Sequence, residues 1–371
     1  MTDIRPTGWP PFRADHIGSL LRPAQLRQAF GQHARHELSD EKFAEIQDDS
    51  IRAVLRLQEE TGLRVVTDGE FRRGSYWSRF VELTDGLAVR DAIFKFRDDH
   101  GHEAAFTAPH VVGKVRRRRP ITLDEFAFVR DATTAVPKIT MPSPSTMHFW
   151  RGRHYADPGI YANPRDFFVE LGAIYRQEIA DLAQSGARYV QLDEVALAML
   201  CDPQARDKVT ADGNDPEALV DLYVDAINEA VKQRPAGMVI GVHMCRGNFK
   251  GRYLAEGGYD SVAEKLFQRA EVNHFLLEFD TPRAGDFAPL RFVPKKKGVV
   301  LGLVSSKTAA LEPLDLLKRR TQEATRHVDL ERLAISPQCG FASTVAGNPV
   351  TEADERAKLR LVVEAARAIW G

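Results

Sequence analysis

The chain has 371 residues, of which 43% are hydrophobic and 28% are charged, a composition typical of a globular protein with a large core. Its 51 lysines and arginines against 52 aspartates and glutamates give a formal net charge of −1. This balance excludes both the basic field of a nucleic-acid-binding protein and the acidic composition of a solvating tail. The run Arg116–Arg119 is the one local cluster of charge, and we interpret it as a solvated loop.

The compartment can be inferred from three features of the sequence. Met1–Asp15 contains no apolar core of a secretory signal, and no stretch approaches the roughly 18 apolar residues of a membrane span. The only cysteines are Cys201, Cys245 and Cys339, a low count that is typical of a reducing compartment, where thiols are free or bind metal. We therefore expect a cytoplasmic protein that binds neither membrane nor nucleic acid.

Short apolar runs alternate with longer amphipathic segments along nearly the whole chain. Near-continuous apolar runs indicate strands that are buried on both faces, which favours a parallel sheet. The predicted strands are Ala14–Ser19, Arg64–Asp68, Val136–Met141, Arg188–Leu192, Met238–His243, Phe275–Glu278, Val299–Val304 and Leu333–Ser336.

Helical patterns fill the intervals between these runs. Ser39 begins a predicted helix that Gly62 ends, and Pro313 stands where the first turn of another should lie. The other predicted helices are Phe167–Ala183, Pro216–Lys232, Ser261–Arg269 and Glu352–Trp370. Strands that alternate with helices predict right-handed βαβ units, and eight such units predict an α/β fold of the (β/α)8 TIM barrel type, with residues 1–371 as one domain. An open doubly wound sheet is the alternative, but no Gly-x-Gly-x-x-Gly dinucleotide fingerprint follows an early strand.

One segment interrupts the alternation. It contains His100-Gly101-His102, the arginine run and scattered phenylalanines. We expect it, over residues 87–131 approximately, to be an inserted β-hairpin or excursion beside the barrel.

Polar side chains stand where the predicted strands end, and in a barrel these ends converge on the face that holds active sites. His243 and Cys245 are two residues apart, so in a strand their side chains point to the same side. Cys339 follows the last predicted strand, and Glu278 ends an otherwise apolar run. Because thiolate and imidazole are ligands that zinc prefers, the four residues form a candidate Cys₂HisGlu zinc site.

Simpler explanations stay open for these residues. A lone His-x-Cys pair is weak support for a metal site, and a buried Glu278 could instead be paired with Arg283. Cys201 lacks comparable surroundings and is interpreted as a core residue. If zinc does bind, it would lower the pKa of a bound thiol, which favours alkyl transfer to sulfur over hydrolysis.

From about Phe12 to Trp370 the chain resembles the catalytic barrel of cobalamin-independent methionine synthases, and more closely their short single-barrel relatives. The resemblance rests on five motifs in order, Ile17-Gly18-Ser19, Gly69-Glu70, Gln191-Leu192-Asp193-Glu194, His243-Met244-Cys245 and Pro337-Gln338-Cys339-Gly340. It implies a zinc-dependent S-methyltransferase that moves a methyl group from 5-methyltetrahydrofolate, as its polyglutamate, to homocysteine and so makes methionine.

The resemblance also implies roles for individual residues. The zinc ion (Zn²⁺) would be held by His243, Cys245, Glu278 and Cys339. Residues Ser19, Glu70 and Asp193 would bind the amino-acid moiety of homocysteine, and Trp150 stands at the position of a tryptophan that stacks on folate. Carboxylates at strand ends suit an ammonium group, and Ser19 suits a carboxylate. Helix capping is the alternative role for Ser19 and Asp193, and core packing is the alternative for Trp150.

Three departures from the family pattern leave the donor and acceptor open. The N-terminal barrel of the full-length enzymes, which helps to hold the folate, is absent. Ser305 stands at the place of the family's proton-handling histidine. His16 is the candidate replacement acid; the alternative is that His16 only forms hydrogen bonds to residues that contact the metal or the substrate. The long separation between His243 and Glu278 predicts an inserted loop, Gly247–Tyr259, over the pocket.

Two other classes of function therefore stay open. A zinc-bound thiolate on the same barrel could accept an alkyl group from another donor, such as methylcobalamin, or open an epoxide with coenzyme M as the thiol. A barrel with an open thiolate-zinc site could also bind zinc or homocysteine without catalysis.

Overall fold

The computed structural model of the chain describes residues 10–97 and 103–371. Its strands are β1 (Val65–Val66), β2 (Thr84–Asp91), β3 (Phe96–Arg97), β4 (Glu103–Ala104), β5 (Thr107–Arg117), β6 (Val136–Pro142), β7 (Tyr189–Glu194), β8 (Val239–Met244), β9 (His274–Glu278), β10 (Gly298–Val304) and β11 (Leu333–Pro337). Its α-helices are α1 (Ala24–Ala34), α2 (Asp40–Glu60), α3 (Ser78–Glu82), α4 (Leu123–Ala132), α5 (Pro164–Gln184), α6 (Ala196–Met199), α7 (Pro203–Ala211), α8 (Pro216–Val231), α9 (Asp260–Arg269), α10 (Leu314–Ala324) and α11 (Glu352–Trp370).

Seven strands form one parallel sheet in the order β1-β6-β7-β8-β9-β10-β11. The segment 14–20 takes the eighth place, between β11 and β1. Ala14 forms a parallel bridge with Ile335 of β11, and on the other side the Leu20 N–H donates to the Gly69 carbonyl at 3.1 Å. The curled parallel sheet with its outer helices confirms the predicted (β/α)8 barrel, and the open doubly wound alternative is wrong.

The predicted first strand, Ala14–Ser19, is an extended segment with a single bridge rather than a regular strand. Two side chains from inside the barrel explain the difference. The Lys138 ammonium donates to the His16 carbonyl, and Gln191 Nε2 donates to the Ile17 carbonyl at 2.6 Å. Because side chains satisfy carbonyls that a neighbouring strand would otherwise bind, no continuous ladder forms here.

The helices begin where the sequence supplies a cap. Ser39 Oγ accepts from the Lys42 N–H at the start of α2, and Thr351 forms a reciprocal capping box with Asp354 at the start of α11. Pro313 is the N-cap of α10 and lies one position before the first helical residue. Among the described residues, no helix is long and apolar enough to cross a membrane.

An antiparallel ribbon made of β2 and β5 leaves the barrel after β1, and the short pair β3–β4 lies further along it. The ribbon spans Thr84–Arg117. The predicted insertion, residues 87–131, extended too far along the chain. Leu123–Ala132 form the outer helix α4 instead. His100 and His102 lie outside the described residues.

Arg117 corrects the interpretation of the arginine run as a solvated loop. The run ends β5, and strand alternation turns Arg117 inward, where its side chain is only 4% exposed. It pairs there with Glu178 at 2.8 Å and with Asp181 at 2.7 Å. Its two neighbours in the run point outward, and both pair with Asp85.

A buried ion pair joins the turn after β1 to α4. Arg73 donates to Glu125 through Nη2 at 2.7 Å and through Nε at 3.1 Å, and both side chains are almost completely buried. Replacing Glu125 with alanine is expected to lower the free energy of unfolding by about 3 to 5 kcal/mol, because it removes the closer counter-ion of a buried guanidinium and leaves only Glu70, 3.6 Å away. Urea denaturation followed by circular dichroism would measure the change.

The matched control lies at the other end of the same helix. Asp131 pairs with Arg130 at 2.8 Å, but both side chains are exposed. Asp131→Ala is therefore expected to lower the free energy of unfolding far less than Glu125→Ala does, because water screens an exposed pair. Equal losses in the two variants would contradict the assigned role of burial.

Candidate active site

Three side chains that could hold a metal meet at the carboxyl ends of the strands. His243 lies in β8, Cys245 directly follows it, and Cys339 comes two residues after β11. Their donor atoms all lie within 4.8 Å of one another, and all three residues are buried. His243 Nδ1 contacts the Leu276 carbonyl at 3.2 Å, and its Nε2 is buried without a hydrogen-bond partner in the described chain. The structure thus brings together the three residues that the sequence separates by almost a hundred positions.

The same three groups shift one another's pKa values. The hydrogen bond from Cys245, with the neighbouring His243, holds the pKa of the Cys339 thiol well below its ordinary value. Burial would lower the pKa of His243, but the neighbouring Cys339 raises it. The hydrogen bond with Cys339 and burial raise the pKa of Cys245. Two thiols and an imidazole lie within 4.8 Å of one another, and His243 Nε2 has no hydrogen-bond partner among the described residues, so the donor set fits zinc.

Glu278, the fourth predicted ligand, does not belong to this group. Its Oε2 accepts from the Arg246 N–H at 2.7 Å, and its Oε1 lies 3.3 Å from Arg283 Nη2 and 3.8 Å from Lys307 Nζ. Burial would raise the pKa of Glu278, but these cations, Lys307 most strongly, lower it to about 2. The carboxylate is therefore ionised and paired, as the simpler explanation with Arg283 predicts.

A cavity of about 550 Å³ opens beside the three metal-binding candidates. All four residues predicted to bind substrate lie on its wall, together with an aromatic and apolar surface from the ribbon and the strand-end loops. Gly247, Asn248, Phe249 and Leu254 of the predicted loop line it as well. The lining also includes Trp77, Phe106, His243, Cys245, Cys339 and Gly340.

Glu70 lies in the turn after β1 with a backbone φ of 61°, a left-handed conformation that is uncommon for a residue with a side chain. Its Oε1 accepts from Thr140 Oγ1 at 2.7 Å and lies 3.6 Å from Arg73 Nη1. Its Oε2 is buried and has no hydrogen-bond partner among the described residues. The strained backbone and the unpaired oxygen indicate that this carboxylate is positioned for a ligand.

Asp193 is the second carboxylate of the cavity. Its Oδ1 accepts from Gln191 Nε2 at 2.7 Å. Burial, and next the charge of Glu70, raise the pKa of Asp193 to about 7. Two buried carboxyl groups that repel each other make a favourable site for a cation, and an ammonium group would allow both to be ionised.

Ser19 lies next to the metal-binding candidates because Gly340 leaves room for it. A Cβ atom at Gly340 would lie 1.9 Å from Ser19 Oγ, so only glycine fits after Cys339. Helix capping, the alternative for both Ser19 and Asp193, is absent, since Pro23 is the N-cap of α1 and Val195 that of α6.

Trp150 is both a core and a cavity residue. It is 2% exposed, and its ring packs edge-to-face on Phe94, Phe106 and Phe149 with centroids 5.2 to 6.1 Å apart. Its Nε1 is buried without a hydrogen-bond partner among the described residues. Trp150 thus packs in the core, as the alternative predicts, and its ring also lines the cavity.

His16 does not line the cavity. It is buried in the barrel interior beside Asp15, and burial and the charge of Lys138 lower its pKa to about 3. Its ring is therefore neutral at physiological pH. Its role as proton donor stays a prediction that these surroundings do not favour. Ser305 lies in the loop after β10, where its N–H donates to Glu312 at 2.8 Å.

Several residues support the site through hydrogen bonds or ion pairs, although no role for them is predicted from the sequence. Gln191 was part of a quoted motif, yet its amide joins Lys138, Ile17 and Asp193 in one hydrogen-bonded chain. Lys138 and Gln191 are each flanked by apolar residues in a buried part of a strand, and this is the signal that could have identified them. Lys307 carried no such signal, because its partner Glu278 is distant in sequence.

Comparisons with known proteins identify the family. A family model described as "Cobalamin-independent synthase, Catalytic domain" matches residues 12–368. The chain is 39% identical to the uncharacterized protein YxjH of Bacillus subtilis, over 97% of this chain and 95% of that protein. It is 28% identical to the methionine synthase of Pyrococcus abyssi, over 88% of this chain and 85% of that protein.

Solved structures agree with this match. One described as a vitamin-B12-independent methionine synthase from Listeria monocytogenes superposes with a TM-score of 0.75 at 31% identity, covering 97% of this chain and 98% of that one. A B12-independent methionine synthase from Shewanella, solved with selenomethionine, has a TM-score of 0.73 at 22% identity, with 96% and 97% covered, and supports the fold alone. Because one family model matches nearly the whole chain, the chain belongs to the cobalamin-independent methionine synthase family and is a methyltransferase.

Proposed function

We propose that the chain is a zinc-dependent S-methyltransferase that transfers the methyl group of 5-methyltetrahydrofolate, as its polyglutamate, to homocysteine and releases methionine. One observation carries the proposal. The side chains of His243, Cys245 and Cys339 meet at the same cavity as the carboxylates of Glu70 and Asp193. A thiol-binding centre and an ammonium-binding pair in one cavity suit an amino acid with a thiol in its side chain.

His243, Cys245 and Cys339 are the residues that would hold the zinc ion. A zinc ion held there would act as a Lewis acid and lower the pKa of the acceptor thiol, which would make the sulfur available as a thiolate nucleophile for the methyl carbon. The two protein thiolates add negative charge around the acceptor sulfur, which keeps it electron-rich enough to react.

The chain's own side chains bind and orient the acceptor. Thr140 and Gln191 each hold one oxygen of a cavity carboxylate, Glu70 and Asp193 respectively, which leaves a second oxygen of each for the ammonium group. Ser19, beside Gly340, is the side chain suited to the carboxylate of the same amino acid. Substrate atoms held at three points would have one orientation relative to the metal centre.

The aromatic wall of the cavity suits the methyl donor. Trp77, Phe106 and Trp150 line it, and aromatic side chains favour a flat heterocycle such as a reduced pterin. The nitrogen that carries the methyl group is a poor leaving group unless it is protonated, so the reaction needs an acid. The sequence suggests His16 as this acid, but its burial outside the cavity does not favour that role.

A donor screen on protein of measured zinc content tests this function. Homocysteine would be incubated with 5-methyltetrahydrofolate, as the mono- and the triglutamate, and with methylcobalamin. In a separate incubation, coenzyme M would be the thiol and simple epoxides the alkyl donors. We expect methionine from methyltetrahydrofolate. If only another donor gives turnover, the thiolate chemistry stands and 5-methyltetrahydrofolate is not the methyl donor. Zinc and homocysteine binding without any turnover would contradict a catalytic function and favour a binding barrel.

A further inference from the structure

A lysine lies deep inside the barrel, below the cavity. Lys138 is part of β6, is 1% exposed and does not line the cavity wall. Its partner across the sheet is Tyr189, whereas Pro142, four residues further along β6, is the partner of Asp193. Lys138 is therefore about 13 Å along the strand from the level of Asp193. Because a buried ammonium is costly without acceptors around it, the groups that contact Lys138 indicate its role.

Three oxygen atoms surround the Lys138 ammonium, and they belong to two different parts of the barrel. Its Nζ donates to Asp15 Oδ1 at 2.8 Å and to the His16 carbonyl, both in the irregular first segment. It also donates to Gln191 Oε1 in β7 at 3.0 Å. The second carboxylate oxygen of Asp15 accepts from the Tyr189 hydroxyl at 2.7 Å. The ammonium thus joins the first segment of the barrel to β7.

Lys138 also decides which way the Gln191 amide points. An ammonium group only donates hydrogen bonds, so the amide atom beside it must be the oxygen. The NH₂ group then faces the other side, where Nε2 donates to the Ile17 carbonyl at 2.6 Å and to Asp193 Oδ1 at 2.7 Å. These acceptors lie in the two halves of the proposed acceptor site. Ile17 leads to Ser19 in the carboxylate-binding half, and Asp193 belongs to the ammonium-binding half.

The first segment depends on these side chains more than an ordinary strand would. The segment 14–20 forms one bridge in place of a continuous ladder, so few backbone hydrogen bonds fix its position. The carbonyls of His16 and Ile17 are held by Lys138 and Gln191 instead. Loss of the ammonium would leave one of these carbonyls without its donor and would free the amide that holds the other. A shift of this segment would move the carboxylate-binding half of the acceptor site.

We propose that Lys138 is a positioning residue that fixes the two halves of the acceptor site relative to each other, and so makes the site specific for a thiol that carries an ammonium and a carboxylate on one carbon. The inference rests on the proposed function, because it concerns the same acceptor. Lys138 acts on Ser19 through Asp15 and the backbone between them. It acts on Asp193 through Gln191, and it contacts no substrate itself.

Three variants of the full-length chain remove this connection in different ways. Lys138→Met removes the ammonium and keeps most of the side-chain volume. Lys138→Met/Asp15→Asn removes one buried charge of each sign, which covers the case in which the single variant does not fold. Gln191→Met changes no charge and removes the hydrogen bonds to both halves of the site. Melting followed by circular dichroism would identify the variants that fold.

Two further variants serve as comparisons. Lys297 is also a buried lysine, but its ammonium donates to carbonyls at the end of α9, among them that of Phe267 at 2.6 Å. Lys297→Met therefore tests the loss of a buried ammonium that has no connection to the cavity. Asp193→Asn changes the ammonium-binding half alone.

The measurement is the Kd of three thiols, determined by calorimetry on protein of measured zinc content. The thiols are homocysteine, 4-mercaptobutanoate, which lacks the amino group, and 3-aminopropane-1-thiol, which lacks the carboxylate. Binding is measured without a methyl donor, so the result does not depend on which donor the enzyme uses. The KM for 5-methyltetrahydrofolate triglutamate, measured at saturating homocysteine, shows whether a variant also disturbs the rest of the cavity.

We expect the unsubstituted chain to bind homocysteine at least about tenfold more tightly than either analogue, since each analogue lacks one charged hydrogen-bonding group. The Lys138 and Gln191 variants should weaken homocysteine binding by about tenfold or more and that of each analogue by less than about threefold, so that both preferences fall together. Asp193→Asn should reduce the preference over 4-mercaptobutanoate alone. Lys297→Met should lower the melting temperature and keep both preferences. The KM for the folate should change by less than about threefold.

The inference is overturned if the Lys138 variants weaken all three thiols by one factor, if they reduce one preference alone, or if they leave both preferences intact. Failure of the proposed function gives a different result. In that case the unsubstituted chain would prefer homocysteine over both analogues but form no methionine from 5-methyltetrahydrofolate, and the Kd values would still decide the role of Lys138. A chain with no preference for homocysteine would contradict both the proposed acceptor and this inference.

Discussion

Cys339→Ser is expected to remove the bound zinc and to reduce methyl transfer to below about 1% of the unsubstituted activity. Cys339 lies within 4.8 Å of both other donors, and its neighbours lower the pKa of its thiol. Residues that only orient a ligand change metal affinity or activity by about 10- to 100-fold, so the loss of a ligand should exceed this range. Zinc per chain, measured by mass spectrometry after dialysis, and methionine formation are the two readouts.

Cys201→Ser is the matched control for this prediction. Cys201 is also buried, and its Sγ–H donates to the Leu197 carbonyl at 3.5 Å, a bond that a serine hydroxyl can also make. It does not belong to the metal-binding group. We expect the control to retain zinc and activity. A Cys339→Ser protein with full zinc content and normal turnover would refute the assigned centre.

Asp193→Asn is expected to raise the KM for homocysteine by about 10- to 150-fold. A hydrogen bond to a charged group contributes about 1.5 to 3 kcal/mol, and each 1.4 kcal/mol is a factor of ten. Asparagine has nearly the same shape and keeps an oxygen that can accept from Gln191 Nε2, so the change removes charge and preserves the local contact. Steady-state kinetics with varied homocysteine would measure it.

The sharper comparison uses 4-mercaptobutanoate, which is homocysteine without its amino group. The unsubstituted enzyme should bind this analogue more weakly than homocysteine, because both Glu70 and Asp193 then lack a cation. The Asp193→Asn variant should distinguish the two thiols far less, since the group that recognises the ammonium has lost its charge. If the substitution weakens both thiols by the same factor, Asp193 does not recognise the ammonium group.

Much of the site could be predicted because barrel geometry places strand ends together wherever they fall in the sequence. The polar residues after apolar runs identified His243, Cys245 and Cys339, and their convergence follows from the fold. The roles of Glu70 and Asp193 were implied by the family resemblance, and their chemistry agrees with it, since Asp193 lies near the end of β7 and Glu70 lies in the turn after β1.

The first strand shows a limit of this reasoning. Local pattern predicts a strand at Ala14–Ser19, but the interior Lys138 and Gln191 satisfy two of its carbonyls, and only one bridge forms. Nothing near Ala14–Ser19 in the sequence indicates that side chains more than a hundred residues away will replace a hydrogen-bonding neighbour.

By itself the sequence determined the barrel and the three soft donors, because both depend on local hydrophobic pattern and on residue type at strand ends. Only the tertiary structure decided the partners of Glu278 and the position of His16. A carboxylate at a strand end can bind a metal, a substrate or another side chain, and the choice depends on which charges the fold brings within a few ångströms. For Glu278 those charges are Lys307 and Arg283, and for His16 the decisive neighbour is Lys138 inside the barrel.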